Sequence, residues 1–155
     1  MERPSQEMMQ EISEVVLAIC AGERDEIALM ATISCELFQR VEGYDWVGFY
    51  RVVAPGLLKI GPYQGGHGCL TIPFEHGVCG AAARTEQTQL VANVHQFPGH
   101  IACSSTTNSE LVLPIFDAAE QLIAVLDIDS DQLDFFTVAQ AEWLQQLMTQ
   151  IFQQS

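Results

Sequence analysis

The stretch L-V-L-P-I-F-D-A-A-E-Q-L-I-A-V-L-D-I-D-S, residues 111–130, decides the fold class. Two apolar runs, 111–116 and 122–128, are separated by the short segment 117–121, which is the pattern of two strands joined in a hairpin. Pro114 removes one backbone donor from the first run, so that strand is expected to have an edge-like position there. The hairpin predicts antiparallel pairing.

Sequence on both sides of this hairpin extends the sheet and adds helices. The aromatic and β-branched run 46–52 predicts a strand, and a turn at 54–56 leads into a return strand at 57–60. Shorter strands are predicted around 70–72 and at 88–91, with a short helix near 78–84 between them. Apolar spacings of three and four residues predict helices over about 7–20, over 25–40, and from Asp134 to about Phe152, whose apolar face begins at Phe136. This order indicates an α+β fold with a central antiparallel sheet and flanking N- and C-terminal helices, in one domain spanning 1–155.

The charge of the chain argues against two classes of partner. Twenty acidic residues against six lysines and arginines give a formal net charge of −14, which repels nucleic acid and anionic membranes. No apolar stretch reaches the length of a membrane span, and the N-terminus M-E-R-P-S-Q-E lacks the apolar core of a signal peptide. A cytoplasmic protein that handles a small molecule is expected, although acidity that serves solubility alone fits the same numbers.

The chain has five cysteines, an odd number, and no C-x-x-C pair, so neither a permanent disulfide framework nor a thioredoxin-like motif is predicted. Cys20 and Cys35 lie inside apolar helical patterns and are predicted to be core residues. Cys69, Cys79 and Cys103 fall instead in glycine-rich loops or at element ends, which favours a redox or nucleophilic role. A zinc site is the weaker alternative, because the short paired ligand spacing is missing.

Two features near these cysteines predict reactive thiolates. Cys79 is expected at the start of a helix, where the helix dipole and free N–H groups favour the thiolate. His67, His76 and His100 are close in sequence to the three cysteines. A cationic imidazole beside a thiol would lower the thiol pKa further.

Three carboxylates form a second candidate site. If the strand continues to Ser130, Asp127 and Asp129 point to one side of it, on a face that begins as core. Two carboxylates there are costly unless they bind a cationic group such as an amine, or share a proton. If the strand ends at Leu126, they belong to a solvated loop. Glu110 directly precedes the strand 111–116 and either projects into the same cavity or is a surface residue.

Trp46 and Tyr50 are four residues apart, a spacing that puts both on one face of a strand with Gly48 between them. Two aromatic rings beside a bare glycine suit a small ligand with an apolar end. An ordinary aromatic core is the alternative.

Six segments together resemble the free methionine-(R)-sulfoxide reductases, which are single GAF domains. The segments are D-W-V-G-F-Y (45–50), L-K-I-G-P-Y-Q-G (58–65), I-P-F-x-x-G-V-C-G-x-A-A (72–83), F-P-G-H-I-A-C (97–103), S-x-x-x-x-S-E-L-V-L-P (105–114) and V-L-D-I-D-S (125–130). The resemblance spans roughly residues 43–152. A general GAF domain would share the apolar pattern and lack the three loop cysteines.

The resemblance implies thioredoxin-dependent reduction of free L-methionine (R)-S-oxide to methionine. Thioredoxin supplies the electrons, and no cofactor or metal is expected. The resemblance also implies a homodimer. It makes Cys103 the cysteine that attacks the sulfoxide sulfur and becomes a sulfenic acid, and Cys69 the resolving cysteine that closes a disulfide. Cys79 matches a third cysteine that assists or serves as an alternative partner. The resemblance further implies a substrate pocket formed by the carboxylates Glu110, Asp127 and Asp129 and by the aromatic residues Trp46 and Tyr50. A GAF-type small-ligand or redox-sensing module without turnover is the alternative.

Three positions depart from the family pattern. Ser104 follows the cysteine of H-I-A-C where the family usually has aspartate, Gly68 replaces the usual alanine before the first cysteine, and Asn93 stands at a frequently acidic position. Activity is still expected, because the three cysteines and three acids are all present. These departures would affect the charge and the mobility of the loop around Cys103.

Overall fold

The computed structural model of the chain describes residues 2–100 and 103–154. Within them, helices and strands follow the predicted order, with one sheet of six strands and four α-helices. The elements are α1 (Gln6–Cys20), α2 (Glu26–Arg40), β1 (Trp46–Ala54), β2 (Leu57–Gln64), β3 (Thr71–Pro73), α3 (Gly77–Thr85), β4 (Gln89–Val91), β5 (Ser109–Phe116), β6 (Leu122–Ser130) and α4 (Val138–Phe152).

All neighbouring strands are antiparallel, in the order β3-β2-β1-β6-β5-β4. The predicted hairpin is β5–β6, and β6 occupies the middle of the sheet beside β1. On its other side β5 pairs with β4 only from Glu110 to Val112. Pro114 therefore lies beyond the end of β4, and its edge-like position is confirmed.

The two faces of the sheet are covered by different helices and pack against separate apolar cores. Helices α1, α2 and α4 cover one face, where alternate residues of the central strands join a large apolar core. Helix α3 covers part of the other face, over a smaller core. On β6, Leu126 and Ile128 point to the helical core, while Val125 and Asp127 point to the side of α3. This alternation is the direct result of the two-residue period of a strand.

Side-chain caps begin three of the four helices. The side chains of Ser5, Asp25 and Thr137 accept hydrogen bonds from backbone N–H groups in the first turns of α1, α2 and α4. The predicted start of the last helix at Asp134 is wrong, because Thr137 caps it and Phe136 lies before its first turn. Phe136 still packs in the helical core, against Tyr44.

The expected α+β class is confirmed, and one open alternative is resolved. Strand β6 continues to Ser130, so Asp127 and Asp129 belong to the sheet and not to a solvated loop. Among the described helices, none has the length and apolar character that crossing a bilayer requires.

Candidate active site

A cavity of about 520 Å³, including solvent at its open side, lies between α3, the face of the sheet that α3 covers, and the loops around residues 67 and 103. Seven of the eight predicted site residues line the cavity, and Cys69 is bonded to one of them. The seven are Trp46, Tyr50, Cys79, Cys103, Glu110, Asp127 and Asp129.

The sheet register brings the three carboxylates together. Glu110 on β5 is the direct partner of Asp129 on β6, and Asp127 is one side-chain step along the same face. Glu110 is 7% exposed and Asp127 5%, whereas Asp129 is half-buried. One carboxylate oxygen of each aspartate, Oδ1, is buried without a hydrogen-bond partner among the described residues. Like charges directly opposite on paired strands are destabilising, so this arrangement points to a function that needs it.

Burial raises the pKa of Glu110, Asp127 and Asp129 well above the ordinary carboxyl range, and their mutual repulsion raises it further. No lysine or arginine is among the described residues that line the cavity. The cluster therefore retains protons that solvent-exposed carboxylates release. It is suited to hold a proton, or to receive a cation in place of one.

These raised pKa values predict an unusual pH dependence of stability. Between the ordinary carboxyl pKa of about 4 and the raised folded-state pKa, the unfolded chain binds fewer protons than the folded one, so stability falls as pH rises. From roughly pH 5 to pH 8 the free energy of unfolding is expected to fall by about 1 kcal/mol more in the unmodified protein than in the Asp127→Asn variant. Urea unfolding in chelator-treated buffer measures this difference, with Glu142→Gln, at an exposed position on α4, as the control. Equal pH slopes for all three proteins would contradict it.

Trp46 forms one wall of the cavity and is held from several sides. Its ring stacks between Tyr50, at a centroid distance of 6.0 Å, and Tyr63, at 5.3 Å. The indole Nε1 donates a hydrogen bond of 2.7 Å to the carbonyl oxygen of Gly66. The wall is therefore rigid before any ligand arrives, which limits the entropy lost on binding.

The interpretation of Gly48 as an open patch for a ligand is wrong. A Cβ atom at Gly48 would lie 2.4 Å from Tyr63 Cβ and 2.6 Å from Trp46 Cη2, so the tryptophan ring itself covers this glycine. The missing side chain is what lets Trp46 lie flat between the two tyrosines. Sequence spacing alone placed the glycine on the right face and gave no indication that it was covered.

Gly48→Ala is therefore expected to displace the Trp46 ring and to lower the free energy of unfolding by about 1–3 kcal/mol. Gly66→Ala is the matched control, because a Cβ atom there meets no heavy atom within 4 Å. Denaturant unfolding of the two variants measures the difference. If both unfolded like the unmodified protein, the tight packing around Gly48 would not exist in solution.

Cys69 and Cys103 are joined in a disulfide, with their Cα atoms 5.3 Å apart and 34 positions apart in sequence. This Cα distance is ordinary for a disulfide. Both cysteines are partly exposed, and Cys103 lines the cavity. The neighbours Ile101 and Ala102 of the H-I-A-C motif lie outside the described residues. Cys69 and Cys103 thus form a disulfide that can open and close beside the pocket.

The expectation of a reactive thiolate at Cys79 is wrong. Cys79 is the third residue of α3, as predicted, but burial raises its pKa well above the ordinary thiol value. The negative charges of Asp127, Glu110 and Asp129 add to this rise, so burial and repulsion together outweigh the helix dipole. Cys79 is a neutral thiol in this structure.

The other expectations for cysteines and histidines are corrected in part. Cys20 is a core residue as predicted, whereas Cys35 is only partly buried. Burial and the neighbouring His95 lower the pKa of His100, so His100 is neutral at pH 7 and is not the cationic partner expected for a thiolate. His67 and His76 are exposed and line the cavity.

Several residues of the cavity were missed by the sequence-based prediction. Tyr63 supports Trp46 from the next strand, and Thr107, which is buried, lines the cavity from the loop before β5. Burial along β2 does not alternate, so no periodic pattern indicates Tyr63, and its contact with Trp46 depends on the register between β1 and β2. The N-terminus of α3 also lines the cavity, with no side-chain cap on its first N–H groups. A helix start without a cap can bind an anion.

Comparison with known proteins agrees with this fold. The sequence profile of the family described as "GAF domain" matches residues 23–153. The free methionine-R-sulfoxide reductase of Escherichia coli K12 is 42% identical over 134 residues, which cover 86% of this chain and 80% of that protein.

Solved structures agree as well. The free methionine-R-sulfoxide reductase of Neisseria meningitidis, in complex with its substrate, superposes with a TM-score of 0.88 at 35% identity, over 99% of this chain and 92% of that one. The reduced form of fRMsr of Staphylococcus aureus gives a TM-score of 0.88 at 37% identity, over 93% and 92%.

The sheet with its covering helices, and the profile match over most of the chain, define a GAF-domain protein. Relatives that are similar in both sequence and fold then indicate the family within this class. The chain belongs to the free methionine-R-sulfoxide reductase family. The recognition made from the six sequence segments is confirmed.

Proposed function

We propose that this protein reduces free L-methionine (R)-S-oxide to L-methionine, with Cys103 as the nucleophile and Cys69 as the resolving cysteine. The observation that carries the proposal is the Cys69–Cys103 disulfide at the edge of a cavity that is also lined by three clustered carboxyl groups. The disulfide is the state such an enzyme reaches after its substrate has been reduced. The family relation described above supports the choice of substrate.

The cavity matches the two charged ends of a free amino acid. The ammonium group would bind the cluster of Glu110, Asp127 and Asp129, where the Oδ1 atom of each aspartate has no hydrogen-bond partner in the part of the chain that the structure describes. The carboxylate would face the uncapped N-terminus of α3, whose N–H groups and dipole favour an anion. A methionine sulfoxide inside a protein has neither free end, so this pocket would select the free amino acid.

The reaction begins with attack of the Cys103 sulfur on the sulfoxide sulfur. A carboxyl group of the cluster that has retained its proton would protonate the sulfoxide oxygen, which makes the sulfur more electrophilic. The Cys103–oxygen bond then forms while the S–O bond of the sulfoxide and the transient sulfur–sulfur bond both break, so methionine leaves and the oxygen remains on Cys103 as a sulfenic acid. The thiol proton of Cys103 returns to the carboxylate that protonated the oxygen. The sulfoxide is reduced by two electrons, and the Cys103 sulfur is oxidised by two.

The Cys69 thiol then attacks the sulfenic sulfur, which forms the disulfide and releases water. An external dithiol must reduce this disulfide before the next turnover. We propose thioredoxin as that donor, a homodimer as the assembly and the cytoplasm as the location. Thioredoxin and the homodimer are proposed from the resemblance to the family, and the cytoplasmic location from the charge and composition of the chain. We also propose that residues 1–155 form one domain, since α1 shares the helical core with α2 and α4.

The R and S epimers of free methionine sulfoxide test the proposal in an NADPH-coupled assay with thioredoxin and thioredoxin reductase. Turnover of the R epimer and none of the S epimer is the expected result. A peptide containing internal methionine sulfoxide is expected to remain unreduced, because it lacks both charged ends. Absence of turnover with either free epimer would favour a ligand-binding or redox-sensing module instead.

A further inference from the structure

Cys79, Glu110 and Asp127 bring one thiol and two carboxyl groups together at the inner end of the cavity. One ligand atom from each of these side chains lies within 4.8 Å of the others, and all three residues are buried. They come from three different elements, α3, β5 and β6, packed against one another. The proposed reaction uses the carboxyl groups and leaves the Cys79 thiol without a role.

A second observation concerns one acceptor atom within this cluster. Asp127 is 5% exposed, and its Oδ1 atom has no hydrogen-bond partner among the described residues. No lysine or arginine is among the described residues that line the cavity, so neither of these side chains balances the acids there. A buried acceptor of this kind is costly unless a cation or a donor reaches it.

We propose that Cys79, Glu110 and Asp127 form a binding site for a thiophilic divalent cation, best matched by Zn²⁺, and that the bound ion excludes the sulfoxide substrate. Zinc binds sulfur and carboxylate oxygen together, whereas Mg²⁺ and Ca²⁺ prefer oxygen ligands alone. Three protein ligands leave a fourth position that opens into the cavity, as in other zinc sites that are not closed.

Bond lengths of about 2.0–2.3 Å to a tetrahedral zinc require ligand atoms about 3.5 Å apart. The separations of up to 4.8 Å in this structure therefore need side-chain shifts of about 1 Å or less. On binding, the Cys79 thiol loses its proton to solvent and the sulfur becomes a thiolate ligand. No electron is transferred, and the Cys69–Cys103 disulfide is not involved.

Inhibition follows from overlap of the two ligands. The zinc would occupy the carboxylates assigned above to the substrate's ammonium group, so the two cannot bind together. Metal binding itself does not depend on whether the protein is a reductase. The test therefore begins with a readout that needs no turnover.

The first experiment titrates the chelator-treated, disulfide-closed protein with Co²⁺ as a spectroscopic probe and then with Zn²⁺ against a chromophoric chelator. One ion per chain is expected, with a near-ultraviolet thiolate-to-cobalt charge-transfer band. Cys79→Ser is expected to remove that band and to weaken zinc binding by more than about tenfold, since even outer-shell partners of a metal contribute tenfold or more. Glu110→Gln is the second variant and is expected to weaken binding while it leaves the thiol in place.

Cys20→Ser is the matched control, because Cys20 is also a buried cysteine but lies in the helical core on the opposite face of the sheet. It is expected to bind zinc like the unmodified protein. Binding that survives Cys79→Ser and shows no thiolate band would place the ion on the exposed histidines and overturn the proposal. Absence of stoichiometric binding would overturn it as well.

A second experiment measures the inhibition. Zinc is expected to raise the KM for free methionine sulfoxide and to leave kcat unchanged. Zinc that binds at Cys79 without raising this KM would overturn the exclusion of substrate. If the protein had no reductase activity at all, the cobalt spectrum would still decide whether the site exists.

Discussion

Cys103→Ser is expected to reduce turnover of free methionine sulfoxide by about a thousandfold or more. A hydroxyl group at neutral pH is a far weaker nucleophile than a thiol, and it cannot form the sulfenic acid that carries the oxygen away. The substitution is nearly isosteric and the side chain is only partly buried, so folding should be preserved. The coupled thioredoxin assay measures the loss, and Cys20→Ser, far from the cavity, is the control.

Cys69→Ser separates attack from resolution. Without its partner, Cys103 is expected to release one methionine per chain in the absence of reductant and then to stop as a sulfenic acid, which a sulfenic-acid-specific reagent labels. Loss of less than about tenfold in Cys103→Ser, together with no burst in Cys69→Ser, would transfer the nucleophilic role to Cys69.

Asp129→Asn is expected to lower kcat/KM for free methionine sulfoxide by about a hundredfold to ten-thousandfold. Asp129 faces Glu110 directly across the β5–β6 pair, and its buried Oδ1 has no partner among the described residues, so it is placed to receive a cation or to hold a proton. General acid catalysis and a buried charge contact have effects of this size. Glu142→Gln is the control, at an exposed position on α4.

The kinetic form of the loss distinguishes the two roles of Asp129. If the carboxylate binds the ammonium group, the KM of the variant rises. The unmodified protein would then discriminate against a substrate analogue that lacks the amine, and the variant would not. If it supplies the proton, kcat falls and its pH profile shifts. The variant is also expected to be at least as stable as the unmodified protein, because a like-charge contact with Glu110 is removed. Loss of activity matched by loss of folding would contradict both roles.

Much of the fold was predictable because local patterns determine it. The hairpin 111–130, the aromatic strand from Trp46 and the amphipathic helices each carry a strong periodicity, and apart from the start of α4 each lies where that periodicity placed it. The start of α4 was misplaced because Phe136 continues the apolar pattern of the helix, whereas the cap that begins it is the side chain of Thr137. A capping residue is a weaker signal than an apolar run.

The site was predictable as a set of residues, and its electrostatics were not. Cys79 was expected to be a thiolate from its position at a helix start, which is a local property. Its actual state depends on Asp127 and Glu110, which are more than 30 positions away in sequence and adjacent only after the sheet has formed. Gly48 was likewise on the expected face, but the ring that covers it takes its orientation from Tyr63 on another strand.

The two tryptophans provide the protein with an internal optical reporter. Trp46 lines the cavity that also contains Cys103, whereas Trp143 lies on α4 and donates a hydrogen bond to Ser13. Indole emission responds to nearby disulfides and to changes in polarity, so opening of the Cys69–Cys103 bond should alter the signal of Trp46 and leave that of Trp143 steady. With Trp143→Phe, fluorescence from a single ring would follow the redox cycle in real time without an added dye.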